Sequence, residues 1–335
     1  MLGSLIFLGC LSTQNPHKNL EERIIHGLMP AAYADEQPET YTLQERMKKY
    51  QIPAVSIAVI DDMKIHFTGA YGFKKQGDSA KVNTQTLFQC ASVSKPMAAV
   101  GVMKLAEKNF LSLDQDINSL LNSWKLPRDQ YPDKISLRHI LSHTAGLGVS
   151  GFTGYFSEES LPSLPQILNG EPPANSPAVR VVVKPGTRFG YSGGGYQVMQ
   201  MAIEDVTKKP FPEVMREHLF HPMGMHNSYY APLQAEQKKT AAVGHQNGNQ
   251  PIPEYAPIHV ESAAGGLWST PGDLAIWLID LMKAYNNQPN SLIQHSSAET
   301  LFKPVKWNYS LGFKVMGQDD SLRFSHGGAT IGWHC

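Results

Sequence analysis

The sequence predicts an α/β (α+β) sandwich: a central antiparallel sheet flanked by helices, with a mostly helical region inserted into it. Three observations predict this. Ala54–Ile60 and Lys64–Ala70 read as two strands separated by a very short turn at Asp61-Asp62, so they must run antiparallel. From Val93 to Leu105 the chain is apolar almost all round, and Pro96–Met103 carries no charge, as a buried helix requires. Strand-like patterns return at Leu311–Val315 and Leu322–Ser325. Both ends therefore supply strands, while helical spacing dominates between them.

Residues 1–40 read as leader and linker. Leu2–Leu11 is a short apolar run ending in Leu8-Gly9-Cys10, a pattern like a lipoprotein cleavage site but without a preceding Lys or Arg. Ala32-Tyr33-Ala34 resembles a peptidase site behind a stretch too polar to be its apolar core. The expected location is the bacterial envelope (periplasmic, secreted or lipid-anchored), with the cytoplasm as the alternative. Leu43–Tyr50 has helical spacing and stops before Pro53. Further helices are expected at Ile135–Leu141, Tyr196–Val206 and Phe211–Leu219. Thr270-Pro271-Gly272-Asp273 is a helix start: a threonine cap, proline at the first position and an acid three residues on. The expected division is 41–111 plus 261–335 as the sheet domain, with 112–260 as the helical insertion.

Composition narrows the function classes. Lys+Arg 29 against Asp+Glu 29 leaves no net charge and no basic stripe stands out, so no nucleic-acid partner is expected. No apolar run reaches the ~20 residues of a membrane-spanning helix. Cys10, Cys90 and Cys335 are too few and scattered for a disulfide framework or a zinc site, and Cys90 reads as a small buried residue.

The chemistry-bearing residues cluster in three places. Ser92-Val93-Ser94-Lys95 is the sole S-x-x-K of the chain. It sits where the apolar helix begins, so backbone N–H groups and the positive dipole end face any developing oxyanion. Lys95 is one turn deeper on the same face. No acid lies within four residues of it, and desolvation there favours a neutral amine able to take the serine proton. The bland counterpart is a capping serine and a snorkelling lysine. Tyr191-Ser192-Gly193 follows the turn Lys184-Pro185-Gly186-Thr187 and precedes a helix, which suits a phenolic acid or base as well as simple packing. Phe324-Ser325-His326-Gly327-Gly328-Ala329 places a histidine and two glycines at a strand end, where a substrate can approach closely.

These motifs resemble those of the β-lactamase-related serine hydrolases: class C β-lactamases, D-alanyl-D-alanine carboxypeptidases and related esterases. Ser92-x-x-Lys95 matches the first motif, Tyr191 the tyrosine of Y-x-N, and His326-Gly327-Gly328 the H-x-G form of the third. Leu137–Leu147, Pro185–Phe189, Gly265–Thr270 and Tyr309–Phe313 continue the pattern over roughly residues 43 to 334. The resemblance implies acylation of Ser92, proton transfer by Lys95 and Tyr191, and an oxyanion hole of the Ser92 and Ala329 N–H groups. Gly328 would flank that hole, and His326 would stand where a lysine usually orients substrate. It implies a small-molecule or peptidoglycan-like acyl substrate and no metal or organic cofactor.

Three departures qualify the match. Gly193 replaces the asparagine of Y-x-N and cannot clamp an acylamide. His326 replaces the lysine that would pair with a substrate carboxylate, leaving a pH-dependent charge. Both lean toward an ester or another acyl group rather than a β-lactam. The family pattern also implies strands beyond Trp333-His334-Cys335, so the sheet is expected to be short at that end.

Two rivals compete. Gly190-Tyr191-Ser192-Gly193-Gly194 satisfies the G-x-S-x-G nucleophile elbow of α/β-hydrolases, with Asp273 and His326 following in the required order. That reading needs parallel βαβ units, against which the hairpin at 54–70 argues. The second is a penicillin-binding-like protein that keeps the fold without turnover. His139 and His143, four apart, read as structural because no glutamate lies between them.

Overall fold

The computed structural model describes residues 16–30, 39–230, 232–246, 250–252 and 257–335. The expectations for Leu8-Gly9-Cys10 and Ala32-Tyr33-Ala34 lie outside them. The chain divides into two units, residues 1–52 and 53–335.

The first unit contains helices Pro16–His26 and Leu43–Lys49. Pro16–His26 falls inside the stretch expected to be linker. Its short, polar sequence hides the helical signal, which rests on Leu20 and Ile24 one turn apart and on Arg23 and His26 in the last turn, where cations suit the dipole. Leu43–Lys49 begins with a capping box, Thr42 and Glu45 each satisfying the other's backbone N–H.

The second unit opens with the expected hairpin, Ala54–Asp61 paired antiparallel with Lys64–Gly72. Its turn residues are Asp62 and Met63, both at positive φ, one position later than the sequence indicates. Strand Phe88–Ala91 pairs with Leu267–Ser269, which pairs in turn with Tyr229–Tyr230. Near the C-terminal end, Lys314–Met316 pairs with Arg323–Ser325, and Ala329–Thr330 with Trp333–His334. The mixed α/β class holds and these ladders are all antiparallel. The strands are distributed over short separate ladders rather than one continuous sheet. Phe88–Ala91 shows why. The register slips between Gln89 and Ala91, and Ala91 takes φ 46°, which turns the chain out of the sheet and into the following helix.

That helix, Ser94–Glu107, is the centre of the core. Met97, Ala98, Ala99, Val100, Val102 and Leu105 have no solvent exposure. Gly101 lets it approach Met215, because a Cβ there would stand 2.6 Å from the Met215 sulfur. Residues of Leu137–Leu141, Gly193–Thr207, Phe211–Met215, Pro271–Tyr285 and His295–Phe302 share the same hydrophobic core. The segment expected as one helix over Phe211–Leu219 continues from Met215 as a π-turn, Arg216–Phe220. Thr270 caps Pro271–Tyr285 by accepting from the Asp273 N–H. Among the described residues, no helix is long and apolar enough to cross a membrane.

Candidate active site

The turn from strand Phe88–Ala91 into helix Ser94–Glu107 sets the first half of the site. Ala91 sits in the left-handed region, a strained conformation for a residue with a Cβ. Ser94 holds that turn closed: its hydroxyl donates to the Ala91 carbonyl at 2.6 Å and accepts from the Leu267 N–H at 2.9 Å. With both interactions made and no exposure, Ser94 is a structural clamp. Ser92 is the one residue between Cys90 and Val100 that is not fully buried. Of the two serines in the motif, it alone can meet a substrate.

Lys95 lies directly beneath. Its Nζ is 3.1 Å from Ser92 Oγ and 2.7 Å from the Ala264 carbonyl oxygen. The residue is 2% exposed and has no acidic partner among the described residues, and burial brings its pKa down to about 7. Near neutrality a large fraction of Lys95 is therefore a free amine, one hydrogen bond from the serine hydroxyl.

Tyr191 forms the opposite wall. Its ring lies 4.9 Å from Lys95 Nζ and its hydroxyl faces Ser92 closely enough to affect its own titration. Burial raises the phenol's pKa and the neighbouring Ser92 hydroxyl opposes that rise, so the group stays protonated. His143 supports the ring from behind at 4.2 Å between centroids, and its Nδ1 accepts the Ser192 N–H at 3.1 Å. Desolvation, then the Lys95 and His326 charges, hold the His143 pKa well below the usual histidine range. His143 is buried and hydrogen-bonded, and what it packs against is the Tyr191 ring of the candidate site.

The third side is the strand end. Gly328 and Cys335 exchange both backbone hydrogen bonds, 2.7 and 2.8 Å. Donors alternate along a strand, so the next N–H, that of Ala329, points to the other edge. Ala329 is exposed there. Gly328 packs against the serine turn: a Cβ on it would collide with the Cys90 carbonyl and come within 3.3 Å of the Ser92 nitrogen. This close approach is what the glycine permits.

His326 is half-buried, its Nδ1 2.7 Å from the Gly327 carbonyl oxygen, which can only accept. Burial, helped by Lys95 and opposed by the Gly327 bond, lowers its pKa to about 4. The pH-dependent charge expected at this position is therefore absent at neutral pH, and a neutral imidazole faces the site. At Gly193 a Cβ would stand 3.1 Å from Phe152 and 3.2 Å from the Ser150 carbonyl oxygen. Phe152 occupies the space a longer side chain would need.

The structure does not assemble the rival elbow. Ser192 caps helix Gly193–Thr207, accepting from Gly195 N–H at 2.9 Å and donating to the Gly148 carbonyl at 2.7 Å. Asp273 accepts from Asn227 N–H and the Ser228 hydroxyl, and among the described residues no hydrogen bond joins it to His326. Before Gly190 runs a turn, not a strand, since the only ladder contact of Val181–Val183 is an isolated bridge to Leu147.

A family model described as Beta-lactamase matches residues 41–335. The chain belongs to the beta-lactamase family. This family lies within the penicillin-binding-protein-like serine-hydrolase superfamily. Protein flp of Staphylococcus aureus (strain MW2) is 24% identical over 314 residues, 88% of this chain and 58% of flp. The chain thus spans under two thirds of that relative. The octameric penicillin-binding protein homologue from Pyrococcus abyssi superposes with a TM-score of 0.70 at 23% identity, over 86% of this chain and 66% of that one. A beta-lactamase/D-alanine carboxypeptidase from Yersinia pestis, complexed with citrate, gives 0.67 at 20% identity, over 87% and 84%. At these identities the two structures are similar in fold.

Proposed function

We propose that this beta-lactamase-family chain is a serine hydrolase that acylates Ser92 and prefers esters with apolar groups. The observation that carries the reading is the 3.1 Å approach of a desolvated Lys95 amine to the accessible Ser92 hydroxyl. Lys95 takes the hydroxyl proton as Ser92 Oγ attacks the carbonyl carbon. The oxyanion that forms is held by the Ser92 and Ala329 N–H groups. Collapse breaks the bond to the leaving alkoxide, which takes a proton from Tyr191, and the Lys95 ammonium returns a proton to the phenolate. Water then attacks the acyl-enzyme by the same groups in reverse and releases the acid.

The substrate preference rests on the walls. A neutral His326 offers no cation to a carboxylate, and Phe152 stands where an amide clamp would be. Beside Tyr191 lies an aromatic shelf: Phe189 is 5.1 Å from Tyr309 and 5.8 Å from Trp307 between ring centroids, and Trp307 is 73% exposed. Such a shelf suits an apolar acyl or alkoxy group. The name of the Yersinia protein, a beta-lactamase/D-alanine carboxypeptidase, supports a second reading, a peptidoglycan-like amide substrate, with which a place in the bacterial envelope would agree. We also infer that residues 112–260 are a region inserted between 41–111 and 261–335 and that it lends Tyr191 to the site of Ser92, Lys95 and Ala329.

Turnover of p-nitrophenyl butyrate, nitrocefin and a peptide ending in D-alanyl-D-alanine separates the readings. The ester is expected to be hydrolysed with a kcat/KM about a hundredfold above the other two, because the site leaves their polar groups unpaired. A peptide or nitrocefin rate above the ester rate would overturn the preference.

A further inference from the structure

Behind the site lies a buried acid–base pair that the acyl-transfer steps do not use. His259 is 3% exposed and Glu261 is fully buried. His259 Nδ1 is 3.6 Å from Glu261 Oε2, while its Nε2 is 2.9 Å from the Thr330 hydroxyl. The ring is confined on both sides. A Cβ on Gly154 would come within 3.1 Å of it, and one on Gly265 within 3.6 Å. Neither Glu261 carboxylate oxygen has a hydrogen-bond partner among the described residues. The Tyr155 hydroxyl, whose pKa burial and the Glu261 charge push up to about 12, is its other polar neighbour. An acid buried in this way is costly unless something compensates it, and His259 is the basic group paired with it.

The two ends of the pair touch the two halves of the site. Thr330 follows Ala329, the oxyanion donor, in strand Ala329–Thr330. Glu261 begins the short helix Ser262–Gly265: its carbonyl accepts from Ala264 and Gly265 N–H, and the Ala264 carbonyl accepts from Lys95. The chain that fixes the lysine and the strand that presents the oxyanion donor thus meet at one imidazole, hydrogen-bonded to Thr330 and in ion-pair distance of Glu261.

We propose that His259 and Glu261 are positioning residues that hold strand Ala329–Thr330 in register with the Lys95 anchor, so that donor and base meet the same substrate carbonyl. The proposal rests on the Ser92 acyl-transfer reading. Displacement of a donor by a fraction of an ångström weakens transition-state binding more than ground-state binding, so the loss falls on kcat.

The test is a double-mutant cycle on the full chain with p-nitrophenyl butyrate. Thr330→Val and His259→Leu are each expected to lower kcat about tenfold with KM changed less than about threefold, and the double variant to lose no more than either. Glu261→Gln, nearly isosteric, is expected to reproduce the kcat loss in part. Thr330→Val and Glu261→Gln carry the test if His259→Leu does not fold by circular dichroism. Additive losses, a shift confined to KM, or unchanged kcat in folded variants would overturn the positioning role. Absence of wild-type labelling at Ser92 by a fluorophosphonate would overturn the underlying hydrolase reading instead, and the proposal with it.

Discussion

Lys95→Met is expected to lower kcat/KM about a thousand- to ten-thousandfold and to make the folded protein more stable at neutral pH. The catalytic loss follows from removing the only base within hydrogen-bond reach of Ser92 Oγ among the described residues. The stability gain follows from linkage. The Lys95 pKa is about 7 in the fold, against the 10.5 usual for lysine and expected in the unfolded chain. Between those values the unfolded chain holds a proton that the fold does not, so wild-type stability rises with pH from about 7 to 10.5. Below pH 7 both states are protonated and the full penalty applies, about 4–5 kcal/mol at 1.36 kcal/mol per unit. Loss of the contacts to Ser92 and the Ala264 carbonyl returns about 1–3 kcal/mol of that. The net gain at pH 7 is therefore about 1–4 kcal/mol, read by urea unfolding, and it fades as pH approaches 10.5. The wild-type kcat/KM should rise through pH 7 to a plateau, while His326, already neutral above about 4, adds no inflection there. A variant that is both less stable and still active would refute the assignment.

Gly328→Ala is expected to cost about a hundredfold or more in kcat with a smaller change in KM. Its added methyl group cannot fit against the Cys90 carbonyl, so strand and serine turn must separate. Separation moves the Ala329 N–H away from Ser92, and overpacking costs about 1–3 kcal/mol of stability as well. Steady-state kinetics beside a thermal melt divide the two effects. Normal kcat in the folded variant would show that Ala329 is not the oxyanion donor.

Much of this site was legible in the sequence, and the reasons are local. Serine and lysine three apart at the start of a helix whose next eight residues carry no charge had to share a face, and two glycines at a strand end had to admit a close neighbour. The antiparallel hairpin followed from its short turn, and the cap at Thr270 from its residue types. What stayed hidden depends on residues distant in sequence. The neutrality of His326 comes from burial among groups that include Tyr191 and Tyr309, at 6.3 and 6.5 Å between ring centroids. Ser94 is set apart from Ser92 by a bond to Leu267, 173 residues away. His259 and Glu261 carry no motif at all: their partner Thr330 is 71 residues on from His259. The short ladders were equally hidden, because the bulge at Gln89–Ala91 has no glycine or proline to announce it.

The central claim is that Ser92 is the acyl acceptor. Peptide mapping by tandem mass spectrometry after fluorophosphonate labelling tests it most directly, on wild type beside Ser92→Ala, Ser94→Ala and Ser192→Ala. The account predicts one adduct, on Ser92, absent in Ser92→Ala and retained in the folded Ser94→Ala and Ser192→Ala variants. An adduct on Ser192 or Ser94, or labelling that survives in Ser92→Ala, would contradict it.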